Sequence, residues 1–509
     1  MNSKTTYRSL LWIFLLTLIP ILCKAQISLN AESTALGGGG TAYLTGYESL
    51  FVNPANLFIQ EKSYGIQISA LQGGFYYDSM FPIANSNRLD NYRDANTAFD
   101  FSTPSATLNE NSREQLLQRN FFNSRDVLHN QSQSEFYWFG IKWIRENRNY
   151  AATMRTRVGN RQQISRGQFS SEIIEEDETS LFDQSFRHQY QVLHEISFGY
   201  AESFTFLNGL IPQLSEFIVG IAPKIVLPGA YLDVDYKNTF EKTGESIPWI
   251  QENKTVQQTA GPFSQQALEY FQQPSASPQL SSPTINELIN PSGIGMALDM
   301  GITYLVTFGD DLSVIDMQES PTEKSLRLSL SVSDVGAVHY FDSPLSYESN
   351  RLIRERENLD PVSELSYSGA PNEHYAFLGQ NGSFIQAPRY TQNSDGFTAL
   401  LPTSIQTGAL FQINRIKLMG DLSYSFSNTA FQKSGLQTHF GAEIRPFRFL
   451  PLRAGTRFAN KEPGFYSFGT GIETNTFDLN VAVMIRHDNM AATSEIVGAS
   501  VVGLKIYLQ

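Results

Sequence analysis

The sequence predicts an all-β protein, a closed antiparallel β-barrel of about 14 strands that crosses a membrane. Three observations predict it: an apolar content with no long apolar runs, a strict two-residue alternation, and connections of two lengths. Of the 509 residues, 41% are hydrophobic and 12% aromatic, only 17% are charged, and mean hydropathy is still −0.24. A helical span needs about 20 apolar residues in succession, and only the N-terminus approaches that. The apolar residues are therefore distributed singly, as in a barrel whose outer face meets lipid.

The N-terminus reads as a secretory signal peptide over residues 1–25. Lys4 and Arg8 form its basic region, Leu10 to Leu22 its uncharged apolar stretch, and Cys23-Lys24-Ala25 a cleavage site before Gln26. A retained helical anchor and a lipoprotein site at Cys23 are the alternatives; the first has a short stretch for a span, the second a large Leu22 where a small residue is wanted. Cleavage removes three basic residues and no acidic ones, taking the formal charge from −13 to −16. It also removes the single cysteine, leaving no disulfide or thiolate chemistry. An acidic chain lacks the basic footprint that nucleic acid requires.

Next comes a glycine run, Gly37 to Gly40, followed by Asn53-Pro54-Ala55. No Gly-Lys-Ser/Thr follows the glycines, so a phosphate loop is not indicated. Pro54 fixes its own φ and biases Asn53 towards extended backbone, which is compatible with the tight turn that the resemblance described below implies at Asn53-Pro54-Ala55.

The strands follow, about fifteen candidates by pattern and hence fourteen if the number is even. In 293–308, Ile294, Met296, Leu298, Met300, Ile302, Tyr304, Val306 and Phe308 alternate with small or polar residues, Leu305 excepted. Successive side chains of a strand point to opposite faces, so one face is apolar throughout. Alternation recurs at Leu326–Val332, Leu418–Phe426, Phe477–Ile485 and Val502–Leu508. Further candidates are 64–77, 135–145, 149–158, 187–206, 216–228, 230–240, 404–413, 436–447, 451–459 and 464–474. A soluble β-sandwich also alternates, but in shorter strands; 293–308 exceeds the roughly 9–11 residues of a membrane strand.

Turns at Asn414-Arg415, Pro446–Leu450 and Asn475 are short, whereas 80–134, 160–185, 241–291 and 341–400 are long and polar. Tight turns at one rim and long loops at the other are usual in such barrels.

An Arg or Lys on the lipid face at mid-membrane costs about 2–4 kcal/mol. Asp299, Glu443, Arg445, Arg453, Arg457, Asp478 and Arg486 are therefore expected to point into the lumen, as a paired-charge network or as the lining of a path. His188 and His194 share a strand face with Glu195 opposite, too few convergent ligands for a metal. His439 and the many serines belong to no recognisable catalytic motif. No cofactor, metal or enzymatic activity is expected.

The stretch Ala31-Glu32-Ser33-Thr34-Ala35-Leu36-Gly37-Gly38-Gly39-Gly40-Thr41-Ala42, followed by Glu48 to Leu57 with its Asn53-Pro54-Ala55, resembles the N-terminal region of FadL-type hydrophobic-compound transporters and of PorV, their relative in type IX secretion. Arg327 to Gly336, Leu401-Pro402-Thr403 and Leu450 to Gly455 resemble an outer-membrane barrel family of unknown function from Bacteroidota. After the signal peptide at 1–25, the resemblance implies a hatch at 26–62 carrying Gly37, Gly38, Asn53, Pro54 and Ala55 and folded inside, and a 14-stranded barrel over 63–509. It also implies an outer-membrane location and either of two roles. One is passive transport of a small hydrophobic molecule through the bilayer. The other is a scaffold engaging a secretion-system protein.

Overall fold

The computed structural model describes residues 29–60, 62, 65–79, 117–118, 121, 127–145, 148–168, 173–176, 179–204, 215–244, 248–264, 285–308, 324–349, 352–356, 390–393, 395–459, 462–486 and 498–508. The signal peptide expected over 1–25 lies outside them. Strands β1 (Ile66–Ser79), β2 (Val127–Arg145), β3 (Arg148–Ser165), β4 (Ile174–Glu176), β5 (Thr179–Asp183), β6 (Phe186–Phe204) and β7 (Ser215–Thr243) come first. They are followed by β8 (Trp249–Ala260), β9 (Gly293–Thr307), β10 (Lys324–Tyr340), β11 (Leu345–Ser349), β12 (Leu352–Arg356), β13 (Tyr390–Asn393) and β14 (Phe397–Leu400). The last are β15 (Ser404–Ile413), β16 (Ile416–Ser425), β17 (Gly435–Phe447), β18 (Leu450–Ala459), β19 (Glu462–Glu473), β20 (Phe477–Arg486) and β21 (Gly498–Leu508).

Fourteen of these close a ring: β1, β2, β3, β6, β7, β9, β10 and β15 to β21, each antiparallel to the next. Closure is by β21 onto β1, with Ile66 opposite Leu508. A closed ring has no open edge, so its backbone groups need no water. The other seven strands lie outside the ring's closed pairing, at the rim opposite β1's start, where β8 extends β7 and β11 and β12 extend β8.

The outer face is apolar as the alternation requires. On β9, Ile294 is 54% exposed and Met296 71%, while Gly295, Ala297, Asp299, Gly301 and Thr303 between them are buried. Val306 departs from the pattern and is buried. On β20 and β21, Leu479, Val481, Val483, Val502, Leu504 and Ile506 are exposed, and Asp478, Asn480 and Lys505 are buried. Water would not tolerate such a continuous apolar belt on a monomer; acyl chains do. The protein is therefore a membrane-spanning barrel. Replacing Met300, exposed on this face, by arginine should cost about 2–4 kcal/mol in urea unfolding from phospholipid vesicles. A neutral result would take that face out of the lipid.

The wall is uneven. Strands β2, β3 and β6 have 19, 18 and 19 residues and β7 has 29, against 10 each in β15, β16, β18 and β20. The candidates 216–228 and 230–240 are one strand and not two. Pro228-Gly229 resembles a turn, but the register against β6 shifts there, with Leu193 opposite Pro228 and Gln191 opposite Tyr231. Such a bulge accommodates proline and glycine within a continuing strand. A second bulge sits on β10, where the register against β9 shifts between Val332 and Val335 and Asp334 adopts φ 57°.

Candidate functional site

Residues 29–60 are not part of the wall, and nearly all are buried. Their fold follows from a few local signals. The Asn30 side chain accepts from the N–H groups of Glu32 (2.8 Å) and Ser33 (3.3 Å) and caps the short helix Ala31–Ala35. That helix ends in a Schellman arrangement: Gly37 N–H donates to Thr34 O (3.2 Å) and Gly38 N–H to Ser33 O (2.8 Å). Gly37 and Gly38 have φ of 85° and 84°, a region that other residues enter only with strain. The next turn is held from the wall, where the buried Asp421 carboxylate accepts from the N–H groups of Gly40 and Thr41, the latter at 2.9 Å.

Asn53-Pro54-Ala55 is a cap and not the tight turn expected. Asn53 has extended φ −151° and ψ 97°, as a residue before proline prefers, and accepts from Ala55 N–H (3.2 Å) to start the 3-10 helix Pro54–Phe58. Its amide nitrogen donates to Thr41 O (3.0 Å) and to Thr303 Oγ1 on β9 (2.9 Å). The motif thus ties both halves of the segment to the wall.

Contacts to the segment come from most of the ring. Leu29 N–H donates to Glu135 on β2 (3.1 Å) and Lys142 to Thr45 O (2.7 Å) and Ile59 O (3.1 Å). Asn149 on β3 donates to Leu57 O (2.7 Å), Ser467 on β19 to Ala35 O (3.0 Å) and His439 Nδ1 on β17 to Gly37 O (2.7 Å). The wall meets the segment with glycines. Gly220 and Gly301 are cross-strand neighbours on β7 and β9, and a Cβ on either would overlap Ala55 N or Asn53 Oδ1. Gly441 and Gly455, paired on β17 and β18, leave the same room for Leu36.

Around this segment the inner wall carries two ion-pair networks. The first spans six adjacent strands, β2, β3, β6, β7, β9 and β10. Arg155 reaches Glu195 (2.5 Å) and Glu135 (3.5 Å), and Arg157 reaches Glu195 and Asp334 (3.0 Å). Lys224 bridges Asp299 (2.8 Å) and Asp334. Four carboxylates meet three cations here, and Arg155 also lies 3.6 Å from the Phe51 ring centroid of the segment.

The second network covers β16 to β21. Arg453 pairs with Glu443 (2.7 Å) and Glu473 (2.5 Å), and Arg445 with the same two carboxylates (2.8 and 2.6 Å). The Tyr43 hydroxyl of the segment donates to Glu443 (2.5 Å). Lys505 pairs with Glu32 (2.6 Å) and Glu48, and Lys62 with Asp478. Burial pushes the Glu32 carboxyl above the ordinary carboxylate range, with Lys505 opposing it. Burial likewise raises the Tyr47 hydroxyl, which donates to Gln72 on β1 (2.7 Å).

The seven charges expected in the lumen are thus buried or nearly so but fall in different places. Asp299 lies in the first network; Glu443, Arg445, Arg453 and Asp478 lie in the second. Arg457 donates to the Tyr76 hydroxyl (3.2 Å) and lies 4.4 Å from the Phe465 ring centroid, and Arg486 pairs with Asp78 (3.0 Å). Sequence reasoning missed Glu135, Arg155, Arg157, Lys224, Asp334 and Glu473.

His188 contacts Asn160 (2.9 Å) and His194 contacts Thr156 (2.8 Å), while Glu195 faces the first network. Among the described residues no group of three or more His, Cys, Asp or Glu is placed to hold a metal ion. His439 Nε2 lies 3.1 Å from Ser423 Oγ, and its Nδ1 donates to the Gly37 carbonyl. The cavity beside this pair is about 30 Å³, room for a water but not for a substrate. Towards the long loops, Tyr231, Tyr340 and Phe397 pack with ring centroids 4.8–5.4 Å apart, in one buried cluster with Leu193, Val226 and Phe431.

A protein-family model described as a family of unknown function (DUF5723) matches residues 79–485. A search of curated proteins finds no match. Among solved structures the chain is similar to a TodX mutant described as a monoaromatic hydrocarbon channel, with 9% identity, coverage of 95% and 97% of the two chains and a TM-score of 0.44. It is also similar to the Ralstonia pickettii toluene transporter TbuX, with 10% identity, 94% and 98% coverage and a TM-score of 0.41. A Pseudomonas aeruginosa FadL homologue matches at 9% identity, 95% and 96% coverage and a TM-score of 0.37.

Proposed function

The chain belongs to the DUF5723 family, whose description assigns no activity, and we propose that it is an outer-membrane channel closed by residues 26–62 and admitting small hydrophobic molecules. The observation that carries this reading is the manner of closure. The ring completes its backbone pairing without the N-terminal segment, and the segment is held by side-chain hydrogen bonds, ion pairs and close packing. A plug that contributes no wall strand can be displaced while the barrel stays closed. On the side of the long loops, Tyr231, Tyr340 and Phe397 are buried against one another, with one polar anchor, the Tyr340 hydroxyl accepting from Gln191 (2.9 Å). Were these rings to part, apolar walls with few oriented polar groups would suit a small apolar ligand.

A scaffold role, in which the loops engage an exported partner, is favoured by a different observation. Ion pairs join most of the wall strands to one another, and Lys505 and Asp478 add Glu32, Glu48 and Lys62 of the segment, which would rigidify a lumen that needs no passage. Liposome swelling separates the two. The channel reading expects the intact protein to pass small solutes slowly and a variant lacking residues 26–62 to pass them several-fold faster. If neither form passes solutes, the channel reading falls and the scaffold reading stands.

A further inference from the structure

The outer face carries a concavity that the lumen does not explain. An open groove of about 710 Å³ crosses strands β16 to β21 near the rim that bears the tight turns. Its floor is Ala442 and Ala454, outward-facing and directly opposite each other on β17 and β18. Large exposed neighbours, Ile416, Ile444, Leu452 and Phe468, stand around them. Two alanines among long apolar side chains leave a trough.

The trough opens towards a cationic rim. Arg415 and Arg448 are exposed in adjacent turns, joined by Arg415 donating to Pro446 O (3.1 Å) and Arg445 N–H donating to Arg415 O (3.0 Å). Neither forms an ion pair with a described residue. No acidic residue occurs in 411–418 or 444–452, in a chain of net charge −13. Phe447 and Phe449, both exposed, stack at 5.7 Å beside Arg448, as aromatic residues do at the headgroup level. Leu452 is two residues from the turn-flanking Leu450, about 7 Å along a strand. An arginine and an acyl chain can therefore engage one amphiphile at once.

We propose that this groove and rim form a binding site for an anionic phospholipid, with an acyl chain along Ala442 and Ala454 and the phosphate on Arg415 and Arg448. A lipid, and not a second barrel, fits because the charge is confined to the headgroup level while the trough is apolar.

The test is native mass spectrometry of the full-length protein, released from nanodiscs of equal phosphatidylglycerol and phosphatidylcholine. The wild type should retain phosphatidylglycerol over phosphatidylcholine by on the order of tenfold, the effect of two basic residues at a membrane surface. Arg415→Gln with Arg448→Gln should abolish the preference yet keep bound lipid. Ala454→Phe, which fills the trough, should lower retention of both lipids several-fold, and Val335→Phe, on the outer face of β10, should change neither. Absence of a headgroup preference in the wild type, its survival in the double variant, or undiminished lipid in Ala454→Phe overturns the proposal. So does an Ala454→Phe protein that turns from dimer to monomer with lipid unchanged, which would make a second copy the occupant.

Discussion

Replacing Asp334 with alanine should destabilise the barrel by about 3–5 kcal/mol, the cost of stranding buried charges whose partner is removed. Asp334 is the one carboxylate shared by Arg157 and Lys224, and its own N–H donates to Asp299 (2.6 Å). Without it, Arg157 keeps Glu195 and Lys224 keeps Asp299, but each loses one of two partners in a site that water does not reach. Part of the loss would be conformational, because Asp334 holds a left-handed φ of 57° that alanine tolerates poorly. Asp334→Gly separates the two effects, since it relieves the backbone and still removes the charge. Urea unfolding from vesicles, with heat-dependent mobility in SDS as a check on closure, should rank wild type above the glycine variant and that above alanine. If the glycine variant is as stable as wild type, the network contributes nothing at Asp334 and the bulge alone explains the residue.

Gly301→Val should unseat the N-terminal segment while leaving the ring intact. The new side chain enters the space of Asn53 Oδ1, which is part of the fold of the segment and cannot simply swing aside. Valine suits a strand, so β9 itself should pair as before. The expected results are new protease cleavage within residues 29–60 and faster liposome swelling than wild type, with unchanged barrel mobility in SDS. Gly220→Val, which meets Ala55 from the neighbouring strand, should behave alike. Continued protection of the segment in both variants would mean that the wall glycines do not seat it.

The ring was legible because membrane strands write their two faces in plain alternation. On β9 and β20 the outward residues are apolar almost without exception, so the strand count, the inward direction of Asp299 and Asp478 and the sorting of long and short connections could be read directly. Continuity of β7 could not, because Pro228-Gly229 has the chemistry of a turn and only its pairing with β6 shows a bulge. Asp334 was hidden for a related reason: a bulge reverses the parity of every residue after it, so simple alternation misassigns the faces beyond Val332. Arg155, Arg157 and Glu195 sit in strands whose outward positions include Thr156, Asn160 and His188, and the two faces there look alike in sequence. The wall glycines pass for ordinary small residues in an alternating strand. Their close approach to the segment depends on residues remote in sequence, which no local pattern encodes.

The ion pairs of Lys505 also set an order on biogenesis. Glu32 and Glu48 leave the ribosome early, yet the cation that neutralises them lies 473 and 457 positions later, on the last strand. Contacts of such sequence separation form late. An incompletely synthesised or incompletely inserted chain therefore holds two uncompensated acids near its front, and it gains their partner only when β21 docks on β1. Full neutralisation of the segment by Lys505 thus requires β21 to be in place.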